Sequence, residues 1–206
     1  MSLLDIFSKS RPQKMRIVLN GHPALRRKSE PVGALTEDIR AFAERLLVSL
    51  QESEVPGVGL AAPQVGVNLR MIAIDTRPSE PDPDAVLSQG EVLLNPRMPM
   101  VLVNPEILSS SPEKETCYEG CLSLPGVDGE VTRPVSVLLK ATLLDGSQVI
   151  AECGNLLGRC LQHEIDHLDG VLFIDHSPRD QQKEAERTMK QLKKREAKRE
   201  EHEKDL

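Results

Sequence analysis

The run His163-Glu164-Ile165-Asp166-His167 sets two imidazoles four residues apart with a carboxylate between them. On a helix, positions with that spacing lie about 40° apart around the axis, one turn along it. Both rings can then reach one metal ion, and Glu164 projects beside it as a proton acceptor for a water. The competing reading is a coincidence on an exposed polar helix. Against it, the run lies inside LLGRCLQHEIDHLDGVLF, an otherwise apolar stretch. A cluster of polar side chains has little purpose there unless something is bound.

Two histidines leave such a site short, since hydrolytic zinc-type centres take three protein ligands plus a water. His176, His202, a carboxylate or a cysteine could complete it. Cys160 falls on nearly the same helical stripe as His163 and His167, although a thiol there is equally well explained as a small buried hydrophobe. Cys121 is the other nominee, within Glu119-Gly120-Cys121-Leu122-Ser123. Its glycine permits close backbone approach, and the following Ser-Leu-Pro is expected to hold the chain extended. Spacing leaves the choice open. Cys117 and Cys121 lack a second cluster that would make a metal site of their own, so Cys117 reads as a core or strand residue.

A third segment, Gly57-Val58-Gly59-Leu60-Ala61-Ala62-Pro63-Gln64, is rich in small residues that let backbone approach a ligand. Gln64 offers an amide donor suited to a developing oxyanion. As a phosphate cradle the segment fails, because it lacks both the Lys-Ser/Thr of a P-loop and the spacing of a dinucleotide fingerprint.

These residues need elements to hold them. Met15 opens a strand-like segment (MRIVL). Thr36 is an expected N-cap, with Glu37 and Asp38 in the first turn and Ile39, Phe42, Leu46 and Leu50 at helical spacing through about Glu54. Pro56 to Gly66 reads as irregular, and Leu69 to Asp75 as a buried strand. Pro78 to Pro99 contains five prolines and reads as a surface excursion. Val101 to Leu108 resumes strand character, interrupted at Asn104-Pro105. Val135 to Leu144 runs into Asp145-Gly146, a hairpin signal, and Gln148 to Glu152 returns. Asn155 to Leu168 reads as an apolar helix closing at Asp169-Gly170. From Arg179 the tail is helical by composition, with Ala185, Met189 and Leu192 as a thin apolar stripe. Separated helices among antiparallel strands indicate an α+β domain.

Composition bounds the rest. The 206 residues suit one domain with extra length at its ends. Aromatics are 2% of the chain, which argues against recognition of nucleic acid by base stacking. The formal charge of −6 argues against a generally cationic nucleic-acid binder. Ten basic and eight acidic side chains from Arg179 onward give that tail +2, which leaves −8 for the body. No apolar run approaches the roughly 18 residues that span a bilayer. The start, MSLLDIFSKSRPQK, resembles neither a signal peptide nor an anchor. A cytoplasmic location is expected, where cysteines are more often free or metal-bound than paired.

Taken in order, GVGLAAPQ, EGCLS and HEIDH resemble the three signature motifs of peptide deformylases, over about Met15 to Ser177. That likeness implies a catalytic domain at 15–177, flanked by a 14-residue extension and a charged tail from 178. The implied fold has antiparallel sheets packed around a central metal-binding helix, with further helices towards each end. It implies that Cys121, His163 and His167 are the ligands, with Fe²⁺ as physiological metal and Zn²⁺, Ni²⁺ or Co²⁺ able to replace it.

The same likeness assigns Glu164 as general base and then acid. Gln64 and the Leu122 backbone N–H become oxyanion donors. Val58, Gly59 and Gly120 become the edges along which substrate lies, and the methionine enters an apolar pocket near the metal helix; Leu156 and Cys160 are candidate walls for it, plain core being the alternative for each of these residues. The implied reaction releases formate from N-formylmethionyl chains. Thiolate and ferrous iron together imply sensitivity to oxygen. Family members act on chains leaving the ribosome, so Lys190, Lys193, Lys194, Arg195, Lys198 and Arg199 could contact ribosomal RNA; the alternative is a solvated, self-pairing helix. No DNA or membrane partner is expected. Two rivals remain at this level: a zinc metalloprotease using the same pentad, and an inactive ribosome-binding homologue that should have lost Glu164 or a ligand.

Overall fold

The computed structural model describes residues 12–80 and 82–204, with side chains described as far as residue 191. The bulk of the 1–14 extension therefore lies outside the described residues.

Strands whose two faces are both covered read as continuous apolar runs, and three of them build the centre of this protein. β1 (Gly59–Ala61), β2 (Met71–Ile74), β3 (Met100–Ser110), β6 (Ser136–Thr142) and β7 (Gln148–Gly154) form one antiparallel sheet in the order β1-β2-β3-β6-β7. Alternation divides their side chains. Leu60, Met71, Ala73, Val101 and Val103 pack against Ala43, Leu46 and Leu50 of helix α1 (Glu37–Gln51). Ala61, Ile72, Ile74, Leu102 and Leu139 pack on the other side against Leu157, Leu161 and Ile165 of helix α3 (Asn155–Leu168). A second sheet pairs β4 (Lys114–Gly120) with β5 (Asp128–Pro134). The fold is α+β.

The α1 cap forms as expected, with Thr36 Oγ1 accepting from the Ile39 N–H at 3.4 Å. The 145–146 hairpin and α3 also fall where the pattern put them. Asn104 has φ 49°, interrupts the β3–β6 register, and ties its amide to both backbone groups of Val32 at 2.8 Å.

Four expectations need correction. Met15 to Leu19 forms no regular element and joins no ladder; Val18 donates to Gln64 O and Asn20 to Ser123 O instead. Pro56 to Gly66 is not wholly irregular, since its small residues form β1 and then a short 3₁₀ turn, Ala62–Val65, ending at Gly66 with φ 83°. The 78–99 excursion contains helix α2 (Gln89–Leu94), which a Ser88–Glu91 capping box starts and which buries Leu94 against the core. Ser123 to Pro125 is a turn rather than extended chain, closed by Leu124 N–H donating to Cys121 O at 2.9 Å.

Helix α4 (Arg179–Lys204) buries Ala185 and Met189 among Leu25, Leu124, Val131 and Phe173. The Leu192 side chain lies outside the described residues. Among the described residues, no helix is long and apolar enough to cross a membrane.

Candidate metal centre and cleft

Helix α3 lies between the two sheets and carries His163, Glu164 and His167. Cys121 follows β4 directly, and the turn behind it swings its thiol back towards α3. Cys121 Sγ and one nitrogen from each of the two histidines lie within 4.8 Å of one another. The His167 Nε2–Cys121 Sγ separation is 3.3 Å. His163 Nδ1 is held by Glu119 Oε2 at 2.9 Å, which leaves Nε2 as its free nitrogen. One thiol and two imidazoles form a donor set that suits Zn²⁺, Fe²⁺, Co²⁺ or Ni²⁺, and their convergence fits one such ion.

The alternative ligands are placed elsewhere. Cys160 is buried with its Sγ 3.5 Å from Val58 O, outside that group, and burial pushes its thiol well above the usual range. His176 Nε2 meets Asp166 Oδ2 at 2.9 Å. The His202 side chain lies outside the described residues. Cys117 sits in β4, half-buried.

Glu164 is 4% exposed, and its Oε2 has no hydrogen-bond partner. Burial, opposed by the charge on His163, pushes its carboxyl up to about 7. Gly59 lets the carboxylate in, because a Cβ there would lie 2.3 Å from Glu164 Oε1. Gln64 is fixed by accepting the Ala61 N–H at 2.8 Å through Oε1, which aims Nε2 at Cys121 Sγ (3.4 Å) and Ser123 Oγ (3.3 Å).

Sequence reasoning missed a buried charge network behind this group. Glu119, 7% exposed, accepts from Arg133 Nε at 2.6 Å and from Arg159 NH1 at 2.8 Å as well as facing His163. Burial alone would raise the Glu119 carboxyl, yet the bonds from His163 and Arg133 hold it well below the usual range. Arg133 bridges on to Asp166 Oδ2 at 2.8 Å. For His163, burial works against the charge, but the Cys121 thiol and Glu119 push it up to about 10. His167 goes the other way; burial and the neighbouring positive charge of His163 hold it well below the usual range. Arg133 carried a faint signal, as a lone cation in the alternating DGEVTRP. Glu119 was named only as part of the motif around Cys121, with no role given to it.

A cavity of about 470 Å³ opens over this group. Val58, Gly59, Gln64, Gly120, Cys121, Leu122, His163 and Glu164 all line it, as do Leu156 and Cys160. His167 lies beneath, 1% exposed. Val55, Tyr118, Pro125 and Arg159 are among the other residues that line it. β1 and β4 each end a sheet at this opening, so two strand edges face one another across it. Val58 O accepts the Asp75 N–H at 2.9 Å, so the alternation of an antiparallel ladder turns the Gly59 groups to the open side.

Residues 14–183 match the family model described as polypeptide deformylase. A peptide deformylase of Natranaerobius thermophilus is 40% identical over 79% of this chain and 91% of its own length. One from Bartonella bacilliformis is 41% identical over 78% of this chain and 82% of its own length. Among solved structures, a peptide deformylase from Legionella pneumophila superposes with a TM-score of 0.74 at 32% identity, covering 89% of this chain and 98% of that one.

Proposed function

The chain belongs to the polypeptide deformylase family, a metal-dependent hydrolase removing the N-terminal formyl group of newly made polypeptides with release of formate, and we propose how its cleft divides that work among residues. Cys121, His163 and His167 hold the metal, with Fe²⁺ as the resident ion and Zn²⁺, Ni²⁺ or Co²⁺ as replacements on the same donors. When bound, the metal supplies a Lewis acid that makes a water more acidic and polarises the formyl oxygen. The observation that carries this reading is the convergence of three donors beside a buried carboxylate oxygen with no partner.

Glu164 takes a proton from the attacking water as its oxygen bonds to the formyl carbon, then delivers that proton to the amine as the carbon–nitrogen bond breaks. A carboxyl raised towards neutrality suits both roles. Gln64 Nε2 and the Leu122 N–H stabilise the oxyanion between those events. Gly59 and Gly120, with Val58, present edge backbone along which the substrate chain lies as an added strand. Leu156 and Cys160 wall the methionine side chain. Glu119 positions His163 by holding Nδ1.

Incubation of the metal-loaded chain with formyl-Met-Ala should release formate, whereas an unformylated peptide should remain uncleaved. Glu164→Ala should lower turnover by about 10²–10⁴-fold while metal content stays constant. Internal cleavage of the peptide would favour the metalloprotease reading, and undiminished turnover in Glu164→Ala would overturn the assignment of the base. With iron bound, activity should decay faster in air than anaerobically; equal half-lives would count against a thiolate–iron centre.

We place the protein in the cytoplasm, where formylated chains emerge; its four cysteines are free, in keeping with a reducing compartment. Contact with the ribosome would fall to α4, through Lys190 and the basic residues that follow it.

A further inference from the structure

We propose that Asn155 is a positioning residue for the reaction: through Glu91 it latches helix α2 to the start of the metal-bearing helix α3, and so holds one wall of the cleft in place. This inference rests on the deformylase reading above.

No linker separates β7 from α3. The strand ends at Gly154 and the helix begins at Asn155. So abrupt a turn falls on a left-handed residue, and Asn155 has φ 51°. Asn is among the few residues with a Cβ that tolerate that region. The helix also lacks a cap of its own, because its N-cap, Gly154, has no side chain to accept from the first turn. What holds this end comes from elsewhere in the chain.

The Asn155 amide reaches across to α2. Its Nδ2 donates to Glu91 Oε2 at 2.8 Å and to Val86 O at 3.1 Å, which uses both of its hydrogens. Glu91 is 7% exposed, and the same oxygen accepts from the Ser88 N–H and hydroxyl at 2.8 Å each. One buried carboxylate oxygen therefore both starts α2 and grips α3. Helix α2 is itself seated firmly. A Cβ on Gly90 would collide with Cys153 Sγ, and Gln89 Oε1 accepts the Glu152 N–H at 3.3 Å.

The gripped turn is the one that faces the cleft. Leu156 follows Asn155 directly and lines the cavity, as do Arg159 and Cys160 one turn on. Leu157 is fully buried, so a loosened first turn pivots there and swings Leu156. His163 and His167 lie further along the helix, steadied by Glu119 and by Leu161 and Ile165 in the core. The latch thus bears on how tightly substrate is held and leaves the metal donors in place.

The test is a set of Asn155 and Glu91 variants of the metal-loaded full chain, assayed on formyl-Met-Ala with metal content measured in parallel. Asn155→Gly keeps the left-handed backbone and removes the amide. Its KM should rise about three- to tenfold, with kcat and metal content unchanged. Asn155→Asp sets a carboxylate against Glu91 and Val86 O, and its KM should rise further. A residue serving only the helix predicts the reverse, because Asp at a helix N-terminus is favourable. Adding Glu91→Gln to Asn155→Asp restores a donor between the two side chains and should bring KM most of the way back. An unchanged KM in both single variants overturns the latch. So does a rise that Glu91→Gln fails to reverse, or one accompanied by loss of kcat and metal. Absence of formate with the unaltered chain as well overturns the deformylase reading and the latch with it.

Discussion

Two atomic contacts bear on the proposed chemistry at the residue scale: Gly59 against Glu164, and Glu119 against His163. The first is a packing constraint. Gly59→Ala places a Cβ 2.3 Å from the carboxylate oxygen, and the neighbouring Val58 O is tied to β2, so the carboxylate must move rather than the strand. Turnover should fall while metal content and secondary structure by circular dichroism hold; unchanged kcat would mean that the carboxylate is not confined as described. The second contact orients a proposed ligand. Glu119→Gln keeps the shape but removes the charge that faces His163 Nδ1, Arg133 and Arg159. Metal affinity should weaken by about 10–100-fold, read by competition with a chelator. An affinity equal to that of the unaltered chain would show that the charge on Glu119 does not govern the ring.

Among the elements, α4 joins two jobs that truncation separates. Its first turns pack Ala185 and Met189 beside Leu124 and Val131, and Gln181 accepts the Glu130 N–H at 2.9 Å. These contacts brace β5 and the turn that aims Cys121. Ending the chain after Pro178 should therefore lower both Tm and metal affinity. Ending it after Gln191 should spare both, and removes every basic residue assigned to ribosome contact except Lys190. Unaltered co-sedimentation with ribosomes in that longer truncation would exclude the contact, and an unaltered Tm in the shorter one would show that α4 is not a brace.

The whole molecule is also tied away from the cleft. Arg26 and Asp175 join the segment before α1 to the segment after α3, with a bidentate contact at 2.5 and 3.2 Å. Burial works to raise the Asp175 carboxyl, but the Arg26 guanidinium and the Leu172 N–H hold it below its ordinary value. A carboxyl depressed in the folded state contributes stability above its unfolded pKa and loses it as pH falls through the folded one. Acid should thus destabilise the protein through this pair, and Arg26→Ala should flatten the acid limb of a Tm-against-pH curve; parallel curves would remove the pair from the account. Much of the site was legible in the chain alone. Periodicity marked α3 because a buried helix repeats its apolar positions, and HEIDH stood out because polar groups interrupt that pattern. Strands β4 and β5 were not legible, since Glu119 and Arg133 interrupt the apolar pattern of their buried positions. The motif order itself pointed to a family, and the local spacing of the pentad determined where two of the proposed ligands stand. Which cysteine stands beside those two imidazoles was decided by the tertiary structure. Cys160 lies within a turn of His163 along the chain, yet the rigid helix aims its thiol at Val58. The turn after β4 folds Cys121 across a sequence gap that no local pattern can measure.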